Sequence, residues 1–258
     1  MLSDVVGAFV PRAYKPKRYL TNLVFTRSGG RVVGGPFAGT MYLRESVGSA
    51  LIPKLLGMYE RELADVLEEA CGLQLPLILD IGAAEGYYAI GLARRNPQAR
   101  VVAFEADDAG CDALRRMADL NGVSGQIEIL GRCEIDHLKA IVSAAGTFLV
   151  ICDIEGYEDV LLQPELMPAL DRAYIIVETH DAVVPGVTER IRQRFAASHD
   201  IRTILPEPRD PSEFPYRSLW SSVFPRRYLD WAVSEWRTEQ TPWLWMKPRA
   251  GGRPARVD

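Results

Sequence analysis

Acidic and imidazole side chains follow two apolar segments in the second half of the chain. The segment 147–152 is followed by Asp-Ile-Glu-Gly-Tyr-Glu at 153–158, and the segment 174–178 ends in Glu-Thr-His-Asp at 178–181. Carboxylates are rarely buried without a partner, so acids directly after apolar strands indicate a site and not core filling. Such groups can accept a proton or bind a divalent cation.

Two of these side chains are candidate general bases. Asp153 comes directly after a buried segment, although a helix N-cap is the alternative role for it. His180 has an unperturbed pKa of about 6.5, which suits proton transfer at neutral pH, although a packing histidine is its alternative. Glu155 is a third candidate catalytic residue.

A divalent metal such as Mg²⁺ is a further alternative at the same strand ends. Hard oxygen ligands and one imidazole are compatible with that ion, which could acidify an acceptor hydroxyl. Acidic clusters at strand ends are common without metals, so we expect none. The candidate ligands are Asp153, Glu155, Glu178, His180 and Asp181.

A strand, a tight glycine turn and a helix start are predicted over 77–88. A dinucleotide fingerprint requires glycine at the first, third and sixth turn positions, which are Gly82, Ala84 and Tyr87 here. Gly82 and Gly86 instead match the acid-x-Gly-x-Gly-x-Gly turn that binds S-adenosylmethionine, with Ala84 at the middle glycine. That cofactor has no pyrophosphate for the helix start to hold.

Glu105 ends the next apolar segment, 101–105, one βα unit after the glycine turn. An acid at that place can accept hydrogen bonds from ribose hydroxyls. Within the turn, we expect Asp80 to orient a methionine tail and Glu85 to pair with its ammonium group. The other predicted cofactor-binding residues are Gly82, Ala83, Gly86, Tyr87, Ala106, Arg132, Cys133 and Asp153.

The elements that must position these residues alternate between strand and helix. Nearly continuous apolar runs are typical of parallel strands buried on both faces. We predict an α/β fold with a doubly wound, mostly parallel, seven-stranded sheet, closed by a strand at 243–246. The other predicted strands are 77–81, 101–105, 127–130, 147–152 and 174–178, and the predicted helices between them are 86–96, 109–120, 134–145, 157–170 and 187–198.

The sequence divides into three parts that we expect to form one compact domain. Residues 1–72 form an N-terminal helical and hairpin extension with a cover helix at 55–71, and its glycine-rich part is either a loop or a lid over a cleft. Residues 73–205 form the core. Residues 206–258 form an insertion rich in proline and aromatics, the closing strand and a tail.

Composition excludes several classes of protein. A net charge of −4 and a pI near 5.6 argue against binding to nucleic acid or to anionic membranes. The basic residues Arg12, Lys15, Lys17 and Arg18 are expected to be a solvated arm. Four scattered cysteines without C-x-x-C spacing, and an N-terminus without a signal-peptide core, predict a reducing, cytoplasmic location. The aromatic C-terminal part could support a homodimer.

The motifs together resemble the FkbM-type methyltransferases. The resemblance covers 77–181 and rests on the glycine turn, Phe104-Glu105, the 153–158 segment and Ile176-Val177-Glu178-Thr179-His180. It implies a Rossmann-like class I methyltransferase fold and O-methylation of a hydroxyl on a small molecule or sugar. Two departures from the family pattern are Glu85, where asparagine is frequent, and Ala106-Asp107, where a proline-containing turn is usual.

Two other functions compete with this interpretation. A nucleic-acid methyltransferase that modifies exocyclic amines would carry Asn/Asp-Pro-Pro-Tyr/Phe after the fourth strand, where this chain has Asp153-Ile154-Glu155-Gly156. A non-catalytic binding or partner module that keeps the fold would use the aromatics of 214–245 as an interaction surface.

Overall fold

The computed structural model describes residues 15–216, 218–219, 221–237 and 240–249. Contacts divide the chain into two compact units, one from 62–206 and 239–258 and the other from 1–61 and 207–238. These boundaries differ from the sequence-based ones, because the segment 207–238 groups with the N-terminal part instead of the sheet. The structure describes neither Arg12 nor Trp220. Of the predicted tail, residues 249–258, it describes Arg249 alone.

Nine α-helices form within the described residues. Helix α5 shows how the sequence sets their bounds, since the Asp107 side chain caps its start by accepting from Gly110 N at 3.0 Å. The helices are α1 Pro16–Ser28, α2 Leu51–Leu56, α3 Ala64–Gly72, α4 Tyr87–Arg95, α5 Asp108–Asn121, α6 Ile135–Val142, α7 Glu158–Leu161, α8 Val187–Phe195 and α9 Arg226–Val233. None of these described helices is long and apolar enough to cross a membrane.

A seven-stranded sheet forms the centre of the unit that contains 62–206. Its strand order is β3-β2-β1-β4-β5-β7-β6, with β7 antiparallel to both neighbours and the other pairs parallel. This confirms the predicted α/β, doubly wound, mostly parallel sheet. The strands are β1 Leu77–Ile81, β2 Arg100–Phe104, β3 Ile127–Leu130, β4 Phe148–Cys152, β5 Ala173–Glu178, β6 His199–Ile204 and β7 Trp243–Pro248.

The strand order fixes where a site can form. Strands β1 and β4 are neighbours, and the chain order reverses between them, so the topological switch point lies at their carboxyl ends. Strand β5 is parallel to β4, which places its carboxyl end at the same edge. The three predicted functional segments therefore lie at one edge of the sheet. Every residue of β1 and β4 is buried, as their apolar sequences predict.

The apolar pattern of the sequence does not predict strand β6. This strand reads His-Asp-Ile-Arg-Thr-Ile, and only its first residue is fully buried. It lies at the edge of the sheet and pairs with β7 alone, so its side chains face solvent more than those of the central strands. Apolar runs cannot detect such a strand.

The predicted helix at 157–170 is wrong in extent. Helix α7 ends at Leu161, and a 3₁₀ helix over Pro168–Arg172 leads into β5. Pro164 lies in the middle of the predicted helix and has no amide hydrogen for an α-helical bond.

The predicted helix at 55–71 is also interrupted. Helix α2 ends before Gly57, which has φ +69°, and a 3₁₀ turn at Arg61–Leu63 precedes α3. A Cβ atom at position 57 would overlap the carbonyl group of Gly34. The glycine-rich segment therefore passes directly against the end of α2, where Gly57 in a left-handed conformation caps the helix.

The described residues of 207–237 pack within the other unit, as the apolar composition of this segment predicts. Phe224 packs edge-on against Tyr19 of α1, with ring centroids 5.7 Å apart. Arg209 and Glu235 form a buried ion pair at 2.6 Å. All four cysteines of the chain are free and buried.

We expect Gly57→Ala to lower the free energy of unfolding by about 2–4 kcal/mol, because it adds backbone overlap to the strain of a positive φ. Gly48→Ala is the matched control, since Gly48 has φ +71° and no heavy atom within 4 Å of the place where a Cβ atom would lie. This control should cost only about 1 kcal/mol. Urea denaturation measures both. Equal losses in the two variants would contradict the contact between Gly34 and Gly57.

Candidate active site

Four amides of the turn after β1 donate hydrogen bonds within the protein. Gly82 N and Ala83 N both donate to Phe104 O at 2.9 Å, and Gly86 N donates to Ala83 O at 2.7 Å. Ala84 N donates to the Glu105 carboxylate at 2.7 Å. A pyrophosphate site needs such N–H groups to point at the ligand, so this geometry agrees with the glycine pattern in disfavouring a dinucleotide.

Gly82 allows the turn to lie directly against the loop that follows β4. It has φ +89°, and a Cβ atom there would overlap the Asp153 carbonyl oxygen. The Asp153 amide in turn donates to Ile81 O at 2.9 Å. The bare face of Gly82 is therefore filled by protein, and its observed role is to bring Asp153 beside the turn.

Glu105 is half-buried at the end of β2, and its carboxylate is held by two backbone amides. One oxygen accepts from Ala84 N and the other from Asp107 N, each at 2.7 Å. Among the acids that the sequence predicts around the turn, Glu105 keeps an accessible carboxylate, whereas Asp80 and Glu85 are buried.

Gly110 supports Glu105 and is not among the site residues that the sequence predicts. A Cβ atom at position 110 would lie 2.7 Å from Glu105 Cγ. Glycine is unfavourable inside a helix, so its occurrence in the first turn of α5 is the sequence signal for this close contact.

The remaining predicted cofactor residues divide by exposure. Ala106 is exposed, while Ala83 and Tyr87 are buried, and the ring of Tyr87 packs edge-on against Tyr88 at 5.3 Å. Gly86 precedes α4, and a Cβ atom there would overlap the Leu114 side chain. The observed role of Gly86 is helix packing.

The loop after β3 presents one exposed and one buried side chain. Arg132 is exposed and lies over the Tyr157 ring at 5.5 Å, with Glu134 at 3.5 Å. Cys133 belongs to the hydrophobic core, and burial raises the pKa of its thiol to about 12. Such a thiol is unreactive. The contact of this loop with the adenine of a cofactor stays a prediction.

His180 is the centre of the acidic cluster that the strand ends bring together. Its Nδ1 lies 2.7 Å from Glu158 Oε1. Its Nε2 faces three further carboxylates, with Glu155 at 3.4 Å, Asp153 at 3.6 Å and Glu178 at 3.8 Å. His180 is 5% exposed, so the buried acids Glu158 and Glu178 act on it with little screening by water.

The carboxylates hold His180 in its protonated form. Burial by itself lowers the pKa of His180. The hydrogen bond with Glu158 and the charges of Asp153 and Glu178 outweigh burial and raise that pKa to about 9. At neutral pH both ring nitrogens therefore carry hydrogens, and the ring has no lone pair with which to accept a proton.

Other polar side chains complete the ends of the strands. Glu178 accepts a hydrogen bond from Thr241, and Asp181 accepts one from Thr188. Glu155 has φ +54° and a side chain that is 81% exposed, while the Asp153 side chain is 28% exposed. Asp153 and Glu155 are therefore the acids of this cluster that a ligand can reach most readily.

Three of the five candidate cation ligands that the sequence suggests lie close together. Asp153, Glu155 and His180 each bring one potential ligand atom within 4.8 Å of the others, whereas Glu178 and Asp181 are outside that group. A protonated Nε2 cannot bind a metal, so the doubly protonated imidazole and a metal-bound imidazole exclude each other.

Comparisons with known proteins give partial similarity. No family model matches the chain. It is 45% identical to the release factor glutamine methyltransferase of Chlorobaculum tepidum over 65 residues, which cover 25% of this chain and 21% of that relative. The chain thus matches only about a fifth of that relative's length.

Solved structures are similar at low identity. The O-methyltransferase TomG of Streptomyces achromogenes, in complex with S-adenosylmethionine, is 18% identical with a TM-score of 0.46, over 71% of this chain and 77% of that one. An O-methyltransferase of Bacillus cereus in complex with S-adenosylhomocysteine is 17% identical with a TM-score of 0.45, over 70% and 78%. Because both TM-scores lie below 0.5, the assignment of the fold rests on the observed strand order and not on these similarities.

We expect the charge of His180 to stabilise the fold in a pH-dependent way. A folded-state pKa of about 9, above the ordinary value of 6.5, means that the contribution is complete below pH 6.5 and disappears as the pH rises through 9. It should be on the order of 3 kcal/mol at pH 6. The measurement is urea denaturation of the unmodified chain and of His180→Gln between pH 6 and 10. The protonated state would be contradicted if the difference in the free energy of unfolding between the unmodified chain and His180→Gln did not decrease as the pH rises.

Proposed function

We propose that the protein is an S-adenosylmethionine-dependent methyltransferase of the FkbM type that transfers a methyl group to a hydroxyl of a small molecule or sugar. The observation that carries the proposal is the contact between Gly82 and Asp153. It joins the turn that holds Glu105 to the loop that carries the candidate base. The local identity to a methyltransferase is consistent with it.

The residues around the turn fit this cofactor. Each oxygen of the Glu105 carboxylate accepts one backbone hydrogen bond and can accept another, which suits the two hydroxyls of a ribose. The turn's amides are engaged with Phe104, Ala83 and Glu105, which suits a ligand without phosphates. When bound, S-adenosylmethionine supplies an electrophilic methyl group, whose carbon–sulfur bond breaks with its electron pair retained on sulfur.

Asp153 is the base in this proposal. It accepts the hydroxyl proton of the acceptor while the acceptor oxygen forms its bond to the methyl carbon. His180 is protonated beside it and is therefore unsuited to the same task. Its Nε2–H instead stabilises negative charge on the acceptor oxygen, as a positioned donor in a site with little water does. Glu155 lies beside both groups on the exposed side of the cluster.

A hydroxyl acceptor is favoured over the exocyclic amine of a nucleobase. Methyltransferases that modify such amines carry Asn/Asp-Pro-Pro-Tyr/Phe after the fourth strand, and this chain has Asp153-Ile154-Glu155-Gly156 there. An aspartate base beside an imidazolium suits the deprotonation of a hydroxyl.

We expect Glu105→Ala to weaken binding of S-adenosylmethionine and S-adenosylhomocysteine by roughly 30- to 100-fold, because two hydrogen bonds to a charged group are lost. Titration calorimetry measures this, with NAD as the control ligand. Glu128→Ala is the matched control variant, since the Glu128 side chain is exposed and pairs with Arg100, the first residue of β2, at the surface. Absence of binding to the unmodified chain would refute the cofactor assignment.

We expect Asp153→Asn to keep the affinity for S-adenosylmethionine and to lose about 10²- to 10⁴-fold in turnover, because the amide cannot accept the proton. The measurement is release of S-adenosylhomocysteine with a panel of sugar and phenol acceptors. Asp136→Asn, at an exposed position in α6, should behave like the unmodified chain. Unchanged turnover in Asp153→Asn would remove Asp153 as the base.

A further inference from the structure

Glu158 is a fully buried acid that neither the cofactor assignment nor the base assignment uses. It is the first residue of α7, and its Oε1 contacts two loops. Gly156 N donates to this oxygen at 2.8 Å, and His180 Nδ1 lies 2.7 Å from it. One carboxylate oxygen thus joins the loop after β4 to the loop after β5.

The second oxygen of the Glu158 carboxylate is unfavourable for stability. The other oxygen, Oε2, is buried and has no hydrogen-bond partner among the described residues. A buried carboxylate oxygen without a partner loses its hydration and gains nothing in return. Glu155 adds backbone strain nearby, with φ +54°. A buried acid with an unsatisfied oxygen, beside a strained residue, indicates a role in the site.

The contact with Glu158 determines how the His180 ring is oriented. Because Nδ1 is held at 2.7 Å, the ring cannot turn without breaking that bond. The ring orientation leaves Nε2 facing Asp153 and Glu155, at the longer distances of 3.6 and 3.4 Å. Nδ1 is thus tied to a buried partner, and Nε2 faces the most accessible acids of the cluster.

We propose that Glu158 is a positioning residue that fixes the His180 ring so that Nε2 faces the acceptor oxygen. This inference rests on the proposed function for the identity of that oxygen. The same principle operates where a buried carboxylate holds a catalytic histidine in one tautomer and orientation. Glu158 itself does not touch the acceptor, since it is completely buried behind the imidazole ring's Nδ1.

The test is proton and nitrogen NMR of the chain with ¹⁵N-labelled histidines, after treatment with a chelator. The chain has three histidines, and His180→Gln identifies the signals of His180. In the unmodified chain we expect a slowly exchanging Nδ1–H resonance, shifted downfield by the bond to a carboxylate. A His180 Nδ1–H that exchanges freely with water would overturn the proposal, and this result requires no variant to fold.

Three variants separate positioning from general structural damage. Glu158→Gln should move the Nδ1–H resonance upfield and speed its exchange at least tenfold, and Glu158→Asp should restore it in part. Glu178→Gln is the matched control, because Glu178 is also buried and faces the same ring, but at Nε2. It should leave the Nδ1–H resonance in place. Loss of the resonance in Glu178→Gln, or its persistence in Glu158→Gln, would contradict the role of Glu158.

Calorimetry with S-adenosylhomocysteine keeps this test separate from the test of function. Glu158→Gln should bind S-adenosylhomocysteine as the unmodified chain does, since its contacts are with Gly156 and His180. If the NMR results hold and no ligand binds to any variant, the positioning stands and the proposed function fails. If the ligand binds and the NMR signature is absent, the proposed function stands and the positioning fails.

Discussion

The site depends on the close approach of two backbones at the switch point of the sheet. The Asp153 carbonyl occupies the space that a side chain at position 82 would need. That approach is reinforced by the hydrogen bond between the Asp153 amide and Ile81 O. Because of it, the turn beside Glu105 and the loop carrying Asp153 are parts of one surface, and any ligand that contacts one lies near the other.

Charge is the second constraint on this edge of the sheet. Four carboxylates surround one imidazole, and this gives the cluster an excess of negative charge around His180. The imidazole gains its proton from that excess, and the proton in turn reduces repulsion among the acids. As a result, a carboxylate of the cluster can accept protons, whereas the histidine can only donate. The ordinary pKa of histidine, taken from the sequence, makes His180 a candidate base beside Asp153.

The glycines around this site indicate close packing as much as access for a ligand. The sequence pattern interprets the turn glycines as openings toward a cofactor, but Gly82 lies against the Asp153 carbonyl and Gly86 lies against Leu114. Gly110 makes room for Glu105. Each of these contacts sets the position of a functional side chain or of the helix that carries it. The pattern of glycines therefore marks this region correctly. The observed reason for these glycines is close packing within the protein and not an opening toward a cofactor.

The sequence by itself determined the α/β fold class, the central strands, the turn and the acids at the strand ends. These follow from local patterns, since buried parallel strands are nearly continuously apolar and acids are rarely buried without partners. It did not locate β6, whose exposed edge lacks an apolar run, or the breaks at Gly57 and after Leu161. Only the tertiary structure decided that Glu158 holds His180 and that the ring is protonated. Those properties depend on which loops come into contact at the edge of the sheet, and a local sequence pattern does not contain that information.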